Sequence, residues 1–71
     1  MGSMASKSPE QRIARAIQDF ATHDGEVIPY TRALRIVRDQ ISTRRFNESR
    51  DEFAARLWLE RRVDFLGKRA A

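Results

Sequence analysis

The stretch from Ser49 to Leu66 constrains this chain more than any other. Ser49-Arg50-Asp51-Glu52 is a capping box, in which the Ser hydroxyl meets the Glu52 backbone N–H and the Glu carboxylate returns to the cap, so a helix starts here. From Phe53 onward Phe53, Ala54, Leu57, Trp58, Leu59, Val63, Phe65 and Leu66 cover most of the helix circumference. Glu52, Arg56, Glu60 and Asp64, four residues apart, make one narrow charged stripe, and that stripe is the expected solvent face. A helix with so broad an apolar face must be packed on several sides by the rest of its domain or by a partner.

The rest of the chain offers little to pack it with. At 71 residues there is room for one domain, and chains of this size bury only about 60% of the surface exposed when unfolded, which argues against a deep catalytic cleft. With no Cys there is neither a disulfide framework nor a thiolate metal site, and association as a homodimer is one route to extra stability. No apolar run reaches the ~20 residues of a membrane span and no signal-peptide pattern occurs, so the expectation is a soluble, cytoplasmic protein. Met1-Gly2-Ser3 ahead of a second Met reads as a vector-derived leader, and residues 1–7 as a disordered tail.

Two further helices precede the capping box. Ser8-Pro9-Glu10-Gln11 supplies a cap, a Pro in the first turn and a Gln at the return position, and Ile13, Ala16, Ile17 and Phe20 follow at helical spacing up to Gly25, a left-handed terminator. Pro29 opens a second helix with Tyr30, Ala33, Leu34, Val37 and Ile41 on one face and Ile36 off it. Residues 42–48 connect it to the third, which is expected to run to Gly67 ahead of a basic tail, residues 68–71. The expected fold is therefore all-α, three helices near residues 9–22, 29–42 and 49–66 in one domain over 8–67, with Phe20, Leu34 and Leu57 at the centres of the apolar faces.

Val63-Asp64-Phe65-Leu66 also fits an alternating strand, able to pair with Val27 and Ile28. The order helix, short extended segment, helix, helix, strand then resembles a minimal winged helix-turn-helix with a short two-stranded ribbon, Gly67-Lys68-Arg69 being the turn; it departs from that pattern in lacking a second wing strand after Arg69. The resemblance concerns the fold alone.

Catalytic and metal constellations find no support in the residues. His23 is the only His, which rules out a His-pair zinc motif and leaves no relay with a spare His. Aligning Gly25 with the central Gly of a calcium loop puts Phe20 and Thr31 where carboxylates are required. Glu48, Asp51 and Glu52 stand at a helix N-terminus, which stabilises negative charge without any ligand. Neither an enzymatic activity nor a cofactor is expected.

Charge carries more information. In residues 29–47, Arg32, Arg35, Arg38, Arg44 and Arg45 face only Asp39, which accounts for the whole formal net charge of +4. Arg outnumbers Lys twelve to two, and the planar guanidinium suits bidentate phosphate contacts and stacking. Those five arginines are the candidate nucleic-acid contacts, with duplex DNA preferred to RNA; Arg12 and Arg15, on a first helix offset by acidic neighbours, are expected to matter much less. Trp58, Arg61, Arg62 and Phe65 form the competing candidate: an aromatic face flanked by cations, of the composition that docks on a larger acidic protein, as a small modulator of an enzyme such as an RNA polymerase would.

Overall fold

The computed structural model describes residues 8–67, and it is all-α there: α1 (Pro9–His23), α2 (Tyr30–Gln40), a 3₁₀ turn (Ile41–Thr43), α3 (Arg50–Glu60) and α4 (Arg62–Leu66). The two expected tails, residues 1–7 and 68–71, lie outside the described residues. Among the described residues no helix is long and apolar enough to cross a membrane.

Both capping boxes form. Ser8 Oγ accepts from the Gln11 N–H at 3.3 Å while Gln11 Oε1 accepts from the Ser8 N–H at 3.0 Å, and Ser49 and Glu52 repeat the exchange at 3.1 and 2.8 Å. α1 ends in a Schellman turn: the Glu26 N–H reaches Ala21 O at 2.7 Å and the Gly25 N–H reaches Thr22 O at 2.9 Å. This closure needs φ +81° at residue 25, a conformation open to glycine at no steric cost.

α1 is the hub. It buries Ile13, Ala14, Ile17 and Ala21, and α2 and α3 each pack chiefly against it rather than against each other. Ala33, Ile36 and Val37 come in from α2, Phe53, Ala54, Leu57 and Trp58 from α3, Phe65 from α4 and Ile28 from the α1–α2 connection, to make one cluster. α1 and α3 run in the same direction: Arg12 and Arg50 line one depression at their N-terminal ends, and Asp24 and Trp58 are hydrogen-bonded at their C-terminal ends.

Three expectations change. The third helix is not continuous to Leu66: at Arg61 the backbone leaves the helical region (φ −123°, ψ 29°) and α4 sets off in a new direction. The reason is geometric. Because α1 ends level with Trp58, an unbroken α3 would run past it into solvent, whereas the break returns Phe65 to the core, fully buried, with its ring centroid 6.0 Å from that of Trp58. Residues 63–66, which also fitted a strand, are helical here, and no strand occurs among the described residues. The core centre also shifts. Leu57 is fully buried as expected, but Phe20 and Leu34 lie at its margin, and Ile36, off the expected face, is inside because α4 covers that side of α2.

Truncation should register this difference. Phe53→Ala and Ile17→Ala, at fully buried positions, should each cost about 2 to 5 kcal/mol and unfold so small a domain, while Phe20→Ala and Leu34→Ala should cost only a fraction of that. Urea melts of the four variants check it; equal losses at all four would reject the assignment of core and margin.

Candidate nucleic-acid interface

The arginines divide into those that bind the chain to itself and those left facing solvent. Arg32 belongs to the first group: its Nη1 donates to Phe65 O at 3.1 Å, capping the last turn of α4, and its guanidinium lies over Gly67, where a Cβ would stand 2.7 Å from Nη1. Arg32, a candidate phosphate contact by its place in the basic segment, is engaged instead in holding α4 against α2.

Arg56 is the second such residue. Expected on the solvent stripe, its side chain is only 18% exposed, and it donates through Nε and Nη2 to Glu48 at 2.8 and 2.9 Å, through Nη2 to Thr43 O at 3.1 Å and through Nη1 to Glu60 at 3.4 Å. Glu48 is 8% exposed and also accepts the Arg45 backbone N–H at 3.0 Å. This fork pins the connection before α3 to the body of α3. The Arg56 hydrogen bonds, helped by that of the Arg45 N–H, pull the Glu48 carboxyl from its ordinary 4.5 down to about 2, and Glu48 in turn raises Arg56.

The proposed protein-docking residues are rearranged more severely. Trp58 is 2% exposed and Phe65 is fully buried, so neither aromatic is on the surface. The Trp58 indole N–H donates to Asp24 Oδ2 at 2.7 Å, and Arg62 lies over the indole (5.1 Å to the centroid) with its Nη1 3.7 Å from the same carboxylate oxygen. Arg61 pairs with Asp64 at 3.4 Å. The aromatic face closes the C-terminal end of the core. What remains exposed on this side is the aliphatic pair Leu59, at 73%, and Val63.

The other arginines are exposed. Arg12, Arg15, Arg35, Arg38, Arg45 and Arg50 make no side-chain hydrogen bond or ion pair with any described residue. The pairing of Arg35 with Asp39, available from their spacing, is not made; both line an open groove between α2 and α4 with Ile36, Arg61 and Asp64. Another depression is lined by Pro9, Arg12, Arg44 and Arg50, and beside it Arg12, Arg15 and Arg50 line a recess with Asp19 and Asp51. Arg44 Nε donates to Glu48 O at 3.2 Å, which fixes the stem of the side chain and leaves its Nη groups unpartnered among the described residues.

This grouping crosses the sequence. Arg44 comes from the segment singled out by charge; Arg12 comes from the first helix, where neighbouring acids had masked it, and Arg50 from the first position of α3. The parallel course of α1 and α3 brings them together and sets the positive ends of two helix dipoles beside them. No signal along the chain could have found this trio, since the residues are separated by 32 and 6 positions and meet only through packing.

The Glu48 fork has a pH signature. The unfolded chain takes up the Glu48 proton near 4.5 and the folded chain only near 2, so the stabilisation is complete above about pH 4.5 and is lost as pH falls through about 2. The stability gap between wild type and Glu48→Gln should therefore shrink across that window in urea melts. A gap that stays constant from neutral pH to pH 2 would dismiss the fork as a stabilising element.

Compared with known proteins, the chain matches no family model, no curated protein and no solved structure.

Proposed function

We propose that this domain binds nucleic acid through its phosphate backbone. The observation that carries the reading is the set of arginines whose guanidinium groups are in no ion pair among the described residues, centred on the depression lined by Arg12, Arg44 and Arg50, with Asp19 and Asp51 only in the recess beside it. Unpaired guanidinium groups gathered at two helix N-termini repel one another and the dipoles, a cost that an arriving anion removes. Arg15, Arg35, Arg38 and Arg45 extend the positive surface beyond one pocket, which favours a polymer of repeating anions over a single small one. The docking alternative has less support, because two of its four side chains are in the core.

Counterion release makes the reading measurable. A labelled oligonucleotide should bind at low salt and be released between about 50 and 200 mM. The double variant Arg12→Ala, Arg50→Ala should reduce the magnitude of the slope of log affinity against log salt by about 2, with the melting temperature nearly unchanged because neither side chain is tied to the fold. Arg61→Ala, which removes an arginine already paired with Asp64, should leave the slope alone. Negligible binding at low salt would reject the proposal in favour of a protein partner.

A further inference from the structure

Phe46 is the side chain the fold leaves unexplained. Its relative exposure is 106%, the highest of any large apolar residue described, so it touches nothing. Yet its position is firmly held. The Glu48 N–H donates to Arg45 O at 3.1 Å, closing a turn with Phe46 and Asn47 at its two central positions, and the Arg45 N–H returns to Glu48 Oε1 at 3.0 Å. Glu48 is anchored in turn by the Arg56 fork, and the Arg44 side chain by Glu48 O. The chain therefore carries a phenyl ring on the tip of a braced turn.

The surroundings of that ring identify what it meets. The other exposed large apolar side chains are elsewhere: Val27 follows the C-terminal end of α1, and Leu59 and Val63 flank the α3–α4 break, all toward the opposite end of the parallel α1–α3 pair. Phe46 is thus no part of an apolar patch of the kind that buries against a protein. Its neighbours are cations instead. Arg45 precedes it, and Arg44, two residues away and so within about 7 Å along the backbone, opens onto the depression shared with Arg12 and Arg50. An exposed aromatic ring next in the chain to Arg45, and two residues from Arg44, matches the alternation of base and phosphate in a strand whose bases are free to stack on it. A continuous duplex offers only base edges and would have to be unstacked to reach the ring.

We infer that the nucleic acid bound by this domain has unpaired bases, and that Phe46 stacks on one of them while Arg12, Arg44 and Arg50 hold the adjoining phosphates. The inference rests on the phosphate-binding reading above and adds the class of substrate. Phe46 supplies affinity that is independent of salt, and the arginines supply the part that salt removes.

The test uses the full chain with a labelled single-stranded oligonucleotide and a blunt duplex of equal length at low salt. The single strand should bind more tightly. Phe46→Ala should weaken it about 5- to 100-fold without altering the salt slope, and without altering the melt, since the ring has no contact to lose. F46W should bind at least as well as wild type, with the fluorescence of its added indole quenched on binding. Undiminished single-strand affinity in Phe46→Ala, or tighter binding of the duplex, overturns the inference while leaving the arginine reading standing if the Arg12, Arg50 variant still loses salt slope. Absence of binding to either oligonucleotide overturns both.

Discussion

Everything in this domain is built on one helix being shared. α1 is the one element against which both α2 and α3 pack extensively, so its apolar residues Ile13 and Ile17 and its small residues Ala14 and Ala21 serve two partners at once. A short chain cannot give each pair of helices its own interface. The sharing has a geometric consequence: with α3 parallel to α1 and level with it, the apolar residues beyond Trp58 have no surface left unless the chain turns. It turns at Arg61, and Phe65 closes the end of the core that Trp58 began.

The same arrangement explains how the polar residues are distributed. Where the backbone departs from a helix, a charged side chain secures it: Arg32 caps the end of α4, Arg62 and Asp24 bracket the indole of Trp58, and Arg56 with Glu48 ties the connection before α3 to the helix that follows. These are substitutes for a larger core. No buried polar side-chain atom is left without a partner among the described residues, so each of these contacts satisfies the groups it removes from water. Arg12, Arg15, Arg35, Arg38, Arg45 and Arg50 contribute no side-chain contact to that network among the described residues, and on the reading proposed above they face an external anion.

The presentation of Phe46 follows from the same economy of contacts. In the connection between α2 and α3 Ile41 packs against the core, while the segment after it is held by polar contacts, the Glu48 fork and the Arg44 bond to Glu48 O, and its one aromatic residue is fully exposed. A single ion-paired fork thereby supports both an arginine that faces the basic depression and a ring that faces solvent. This coupling of a structural contact to two exposed functional groups is what turns a loop of ordinary length into a candidate binding element.

The helices themselves were written locally. Ser8, Ser49, Gln11 and Glu52 declare two helix starts, Gly25 and Gly67 declare two ends, and apolar spacing declares the faces, because caps and periodicity act over three to five residues and need no partner. The concentration of charge in residues 29–47 was legible for the same reason. Tertiary structure decided the rest. No Pro or Gly marks the break at Arg61, which returns Phe65 to the core beside Trp58 and leaves Leu59 on the surface; and Arg12, Arg44 and Arg50 line one depression because two helices lie parallel. Spacing along a helix can show that a face is apolar or charged, but which face meets another element is set by where that element ends in space.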